Sequence, residues 1–253
     1  MMTTIPDIAI EDVSFAYARV PVLENVNLTI APGEKVCIVG PNGGGKTTLI
    51  KLILGLLIPD QGNIRVFGDP PRRAARRIGY VPQYAHYDPD FPVTVFDVVL
   101  MGRLHGPRPR GYSREDEKAA TRALENMHLA SLAHRLFSEI SGGQRQRVLI
   151  ARALATGNRL LIMDEPTANI DAGSEQYLFD LLSAPERDLT VLMITHEMGV
   201  ASRFFESIVC VNRQVVVHPT SELTGENIRE IYGGDPLLIR HDHRCSLEGH
   251  SHD

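Results

Sequence analysis

Residues 40–48 read Gly-Pro-Asn-Gly-Gly-Gly-Lys-Thr-Thr, residue types and a spacing suited to holding the phosphates of a nucleoside triphosphate. The run fills the pattern G-x-x-x-x-G-K-[ST], with Gly40, Gly45, Lys46 and Thr47 in the required places. Through Gly40, Pro41, Asn42, Gly43, Gly44 and Gly45 the backbone can fold tightly enough for successive N–H groups to face phosphate oxygens. Lys46 supplies a compact positive charge for the β- and γ-phosphates, and Thr47, followed by Thr48, offers a hydroxyl to Mg²⁺. Two further apolar runs end in groups that could do chemistry. Leu160–Met163 leads to the carboxylates Asp164 and Glu165, and Val191–Thr195 leads to His196. Ligands of open α/β sheets gather at the carboxyl ends of strands, where all of these groups would lie.

Such groups need elements to position them. Lys35–Val39 is a short apolar run suited to a buried strand, and Thr48–Leu57 reads as a helix whose N-terminus would meet the phosphates. Residues 7–30 alternate apolar and polar positions (Val13, Phe15, Tyr17, then Val22, Val26, Leu28, Ile30), which predicts antiparallel strands with one buried face. Pro32-Gly33 makes a turn, and Ile64–Phe67 and Ile78–Val81 predict further short strands. From about residue 84 the character changes. Pro89, Pro92, Pro107 and Pro109 break the chain, with a helix predicted over Val95–Met101. Ser113-Arg114-Glu115-Asp116 has capping-box spacing and opens a charged helix to about Met127. Residues 84–155 therefore form a mainly helical insertion in an α/β core.

The composition is that of an ordinary globular chain: 253 residues, 43% hydrophobic, 23% charged. A net charge of −5 gives no electrostatic case for nucleic-acid binding, so no nucleic-acid partner is expected. The basic pairs Arg72-Arg73 and Arg76-Arg77 suit a solvated helical face. Cys37 and Cys210 fall in apolar strand-like runs and are expected to be packing residues in a reducing compartment. No secretory signal and no apolar stretch of the ~20 residues needed for a membrane helix is present, so the chain is expected to be soluble by itself.

Residues 138–152, Ser-Glu-Ile-Ser-Gly-Gly-Gln-Arg-Gln-Arg-Val-Leu-Ile-Ala-Arg, make the resemblance specific. The chain resembles an ATP-binding cassette (ABC) ATPase, the nucleotide-binding subunit of a membrane transporter. Ser141, Gly142, Gly143 and Gln144 match the core of the family's signature, with Ile140 where Leu is usual, and Ser141 can cap a helix beginning near Gly142. The resemblance implies an α/β fold: a P-loop NTPase core, an antiparallel β subdomain, and a helical subdomain carrying the signature. It spans residues 1–235, the helical subdomain being about 84–155, and leaves 236–253 as a His-rich tail. It implies ATP and Mg²⁺ as the bound groups. Tyr17 matches the aromatic that stacks on adenine. Gln83 matches the glutamine joining the metal site to the transport partner. Asp164 matches the Mg²⁺-associated carboxylate, together with Thr47 and Gln83. Glu165 matches the general base, Asp171 (in Ala168–Asp171) the loop crossing the dimer seam, and His196 the switch histidine near the γ-phosphate. The signature is implied to contact ATP held by an opposite subunit. One phosphate loop and one signature per chain then make a homodimer the economical inference.

Phe91–Arg103 further resembles importers of zinc and manganese, as do Asn212-Arg213, His218-Pro219 and Ile231-Tyr232-Gly233. Importers of iron chelates and cobalamin share much of this region and remain the alternative, with a soluble ABC ATPase behind them. The resemblance implies an integral membrane permease as partner, a substrate-binding protein as an indirect one, and a peripheral place on the cytoplasmic face of the membrane. His241, His243, Cys245, His250 and His252 crowd the tail with potential Zn²⁺ ligands, though their spacing matches no closed structural site. His86 and His105 read as surface residues.

Overall fold

Apolar and polar residues alternate through Ile8–Tyr17 and Val20–Ile30, and both runs are strands, β1 and β2, paired antiparallel. Ala18 and Arg19 turn the chain between them, both with positive φ (46° and 74°), as a two-residue type I′ hairpin requires. The computed structural model describes residues 5–84, 87–104, 111–166, 172–184, 189–195 and 204–220. After β3 (Lys35–Val39) and helix α1 (Lys46–Ile53), strand β4 (Gln61–Val66) returns to the free edge of β1, giving a three-stranded antiparallel sheet in the order β2-β1-β4.

The second sheet runs β5 (Ile78–Val81), β6 (Leu160–Asp164), β7 (Thr190–Ile194), β3, β8 (Ser207–Asn212), β9 (Gln214–Pro219). Its first five strands are parallel, and β9 folds back antiparallel on β8. Period-two alternation along each parallel strand divides the core between the sheet's two faces. Val36, Ile38, Leu160, Ile162, Leu192, Ile194 and Val209 pack with α1 and the antiparallel sheet. Cys37, Val39, Leu161, Met163, Val191, Met193 and Ile208 pack with the helical side. On that side lie α3 (Val95–Leu100), α4 (Arg114–Asn126) and α5 (Gly142–Ala155), packed on one another, and α6 (Ala172–Ser183). The short α2 (Pro71–Ala74) precedes β5.

α1 departs from its expected span of Thr48–Leu57. It begins two residues earlier, at Lys46, and stops at Ile53. Gly55, with φ 72°, closes it as a Schellman cap: Gly55 N–H donates to the Leu52 carbonyl (3.0 Å) and Leu56 N–H to the Lys51 carbonyl (2.9 Å). A Cβ at Gly55 would lie 2.7 Å from the Arg72 backbone nitrogen, so no other residue fits there. α4 runs as expected and its capping box forms with Asp116, whose carboxylate also holds Arg103 at 2.9 Å. Arg72, Arg73, Arg76 and Arg77 are exposed, as expected, but Arg77 also pairs with Asp69 at 2.7 Å and lies over the Phe67 ring.

Cys37 and Cys210 are buried on neighbouring strands, as expected of packing residues. Burial pushes the Cys37 thiol up to about 12 and Cys210 up to about 11, so neither is a reactive thiolate. A polar tie between residues far apart in sequence lies at the amino ends of the parallel strands. The buried Asp7 carboxylate accepts from Thr190 Oγ1 (2.6 Å), whose oxygen in turn accepts from Gly33 N–H (2.7 Å), fixing the antiparallel sheet to the core. Among the described residues no helix is long and apolar enough to cross a membrane.

Candidate functional site

The phosphate loop joins the carboxyl end of β3 to α1, and its shape rests on glycine at two points. Gly40 has φ 146° and its α-carbon packs so closely on β8 that a Cβ would stand 2.1 Å from the Val211 carbonyl oxygen. Gly45 has φ 104° and would drive a Cβ to 2.8 Å from Leu23 Cδ2. Gly45 is also the N-cap of α1, and it brings no side chain to the helix's free N–H groups. The loop is braced by Gly44 N–H on the Pro41 carbonyl and by Arg213 N–H on the Gly44 carbonyl, both 3.0 Å. Lys46 Nζ lies over the loop and donates to the carbonyls of Gly40 (2.8 Å) and Pro41 (2.9 Å). An ammonium has three protons, so one donor remains for a ligand. Burial lowers the Lys46 pKa, and the carboxylates of Glu165 and Asp164 oppose that shift.

The carboxylates come from the carboxyl end of β6. Asp164 is the last residue of the strand and is buried; its Oδ2 accepts from Thr47 Oγ1 at 3.4 Å across 117 residues of sequence. Burial, with the neighbouring Glu165 charge, raises the Asp164 carboxyl above its ordinary range, against the Thr47 hydroxyl, Lys46 and Lys51. Glu165 leaves the strand with φ 49°, a conformation uncommon for a non-glycine residue, while its N–H stays tied to the Ile194 carbonyl at 3.0 Å. That turn aims the carboxylate away from Asp164's path, and Oε2 accepts from Gln83 Nε2 at 2.6 Å. Gln83 follows β5 by two residues, so groups from the carboxyl ends of β5, β6 and β3, the last separated from β6 by β7, meet on one edge of the sheet. Gln83 and Glu165 were separate expectations, and their direct bond is a feature that sequence spacing of 82 residues does not reveal.

The second glycine-rich segment opens α5. Ser141 is its N-cap: Ser141 Oγ accepts from Gln144 N–H (3.3 Å), and Gln144 Oε1 accepts from Ser141 N–H (2.9 Å). Ser141 itself is exposed. α5 packs on α3, α4 and β5, so its N-terminus belongs to the helical side of the sheet. Tyr17 closes β1 and is 44% exposed, which rules out a core role; its ring meets Phe15 edge-on at 4.9 Å. His196, Asp171 with the rest of Ala168–Asp171, His86, His105, Ile231–Gly233 and the His-rich tail lie outside the described residues. Among the described residues no group of His, Cys, Asp and Glu side chains is placed to hold a metal by itself. Two residues the sequence did not single out meet beside the α5 turn. The Arg145 guanidinium lies 5.4 Å from the Tyr87 ring, and only the position of Arg145 within the signature run hinted at this.

With this geometry in place, comparison with known proteins is specific. Residues 23–168 match the family model described as ABC transporter. The chain is 39% identical over 234 residues to the zinc transport system ATP-binding protein TroB of Treponema pallidum, covering 90% of this chain and 87% of that one. It is 38% identical over 250 residues to the manganese transport system ATP-binding protein MntB of Bacillus subtilis, covering 96% and 98%. Among solved structures it superposes on an inward-facing putative metal-chelate type ABC transporter with TM-score 0.78, 31% identity and coverage of 89% and 88%. It also superposes on a dimeric, post-hydrolysis ATP-binding cassette bound to ADP and Pi, with TM-score 0.73, 29% identity and coverage of 84% and 98%. The expected fold, an α/β nucleotide-binding core with an antiparallel β subdomain and a helical side, is the observed one.

Proposed function

This chain belongs to the ABC transporter family, and on that premise we propose that it powers a membrane importer of zinc or manganese ions by binding and hydrolysing ATP. The observation that carries the chemical part is the approach of Thr47 to Asp164 at the mouth of the phosphate loop. Backbone N–H groups of the loop after Pro41 and the open N-terminus of α1 receive the phosphates, and Lys46 spends its remaining donor on them. The Tyr17 ring, held edge-on by Phe15 and half exposed, offers its face to adenine.

Thr47 and Asp164 suit Mg²⁺: both present hard oxygens, and their 3.4 Å separation is close to the ~2.9 Å between adjacent ligands of an octahedral ion with 2.0–2.1 Å bonds. When bound there, Mg²⁺ would neutralise charge on the β- and γ-phosphates. Gln83 is the third member proposed for this metal set, and the bond it makes here, to Glu165, ties that set to the base. Glu165 accepts a proton from the attacking water as its oxygen bonds to the γ-phosphorus and the bond to the ADP oxygen breaks. His196 is proposed to act beside the γ-phosphate and Asp171 at the seam between subunits. Ser141, Gly142, Gly143 and Gln144 are proposed to meet the ATP of a second copy, so that two chains make two composite sites.

The similarity to zinc and manganese transport proteins supports metal ions as cargo, a membrane permease as partner, a substrate-binding protein upstream, and a peripheral position on the cytoplasmic face. Likeness to a metal-chelate type transporter favours a second reading, a chelated metal as cargo. Co-purification with the permease, then ATP-driven uptake into vesicles of Zn²⁺, Mn²⁺ or a ferric chelate, tests both. Uptake of the free ion is expected. Uptake of the chelate alone would replace the first reading with the second, and no association with any permease would overturn both.

A further inference from the structure

The turn that carries Ser141 is held from outside by an aromatic residue of the Gln83 segment. Tyr87, four residues after Gln83, meets the buried Phe137 ring edge-on at 5.2 Å and 83°. Its own face receives the Arg145 guanidinium at 5.4 Å from the ring centroid, inside the ~6 Å range of a cation–π contact. Arg145 spans the turn: Nη1 donates to the Ile140 carbonyl and its N–H to the Ser141 carbonyl, both at 2.8 Å. Phe137, Tyr87, Arg145, Ile140 and Ser141 thus form one connected set.

We propose that Tyr87 is a positioning residue for the Ser141 turn, setting how that turn is presented to a second subunit. The inference rests on the reading above that the Ser141 turn meets ATP bound by a second copy of this chain. Tyr87 touches no reacting atom. It fixes the angle at which Arg145 and the two carbonyls it holds present the α5 N-terminus. Its contribution should therefore appear in ATP-driven association and not in the binding of ATP to a single chain. A cation–π contact at a half-exposed site is worth about 2–5-fold in an equilibrium constant; because it is already made in the single chain, it contributes to association only by preorganising the turn, and with two turns in a two-fold dimer its loss should weaken association by up to about 25-fold.

The test uses full-length chain carrying Glu165→Gln, so that ATP persists. The dimer dissociation constant with ATP is read by sedimentation, and single-chain affinity by titration with a fluorescent ATP analogue below the dimer range. Tyr87→Leu, which keeps bulk but removes the ring, should measurably weaken the dimer, by up to about 25-fold, with ATP affinity unchanged. Tyr87→Phe should restore the parent dimer, Arg145→Gln, which also loses the bond to the Ile140 carbonyl, should weaken it at least as much as Tyr87→Leu, and the double variant should be no weaker than Arg145→Gln. Parent-like association of Tyr87→Leu, an equal defect in Tyr87→Phe, or an equal loss of single-chain ATP affinity would each overturn the proposal. Ser141→Arg separates the two layers. If it abolishes the dimer while Tyr87→Leu does not, only the positioning role fails; if it too dimerises normally, the composite-site reading fails beneath it.

Discussion

Two helices of this molecule start from glycine-rich turns, and their N-termini are finished in opposite ways. α1 begins at Gly45, whose left-handed backbone brings no side chain to the first-turn N–H groups. α5 begins at Ser141, which closes a complete capping box with Gln144. The first end sits beside a lysine, a threonine and a buried carboxylate, and on the proposed reading it receives phosphate. The second is capped by its own side chains, which makes it a stable, exposed helix start in the isolated chain. On the proposed reading, the first end binds phosphate in its own chain and the second meets the ATP of a partner.

The sharpest way to probe this contrast is to stop turnover while keeping both ends intact. Glu165→Gln preserves shape but cannot take the water's proton, and should lower kcat by ~10²–10⁴. ATP should then accumulate with two chains around it, seen as a dimer on a sizing column only when ATP is present. Wild-type turnover would remove Glu165 as base. Lys46→Ala attacks the α1 end directly. Removing one partner of a buried charge pair costs ~3–5 kcal/mol, so ATP affinity should fall by about 10²- to several 10³-fold in a fluorescent-nucleotide titration. Near-normal affinity would show that the loop does not hold phosphate through this ammonium.

Gly45→Ser would make α1 resemble α5. The added Cβ meets Leu23 Cδ2 at 2.8 Å in a backbone with φ 104°, and strain of ~1–3 kcal/mol should weaken nucleotide binding by about 5–150-fold. A variant that binds normally would erase the distinction between the two ends. Ser141→Ala makes the converse change. Loss of the cap should cost ~1 kcal/mol of stability in a denaturant titration, leave single-chain ATP affinity intact, and weaken the ATP-driven dimer. The smallest effect is one of pH. Burial and Glu165 raise Asp164, so the folded chain holds that proton more tightly than the unfolded chain does. Above its folded pKa the buried charge costs stability, and acidification removes that cost while spoiling the oxygen as a Mg²⁺ ligand. The Mg²⁺ concentration for half-maximal ATPase activity should therefore rise on acidification sooner than an exposed aspartate would allow. Asp164→Asn should abolish the dependence.

Much of the site was legible because its residues act through local backbone geometry. The run 40–48 dictates its own turn, and Ser141 with Gln144 dictates a helix start, since both depend on contacts within a few residues. Period-two apolar runs marked the buried strands for the same reason. Boundaries were less legible: α1 stops at Ile53 because Gly55 caps it, a signal present in the sequence but hidden inside an apolar run that continues to Leu57.

By itself, then, the sequence determined the chemistry available: a phosphate cradle, two carboxylates at a strand end, a serine-capped helix, and the family to which these belong. Tertiary structure alone decided who meets whom. Strand order brings β5, β6 and β3 to one end of the sheet, and so sets Thr47 against Asp164 and Gln83 against Glu165. It also lays Tyr87 beneath Arg145, and bonds Asp7 to Thr190 across 183 residues. Such pairs leave no local trace, because each side chain is satisfied by a partner whose distance along the chain carries no information about its distance in space.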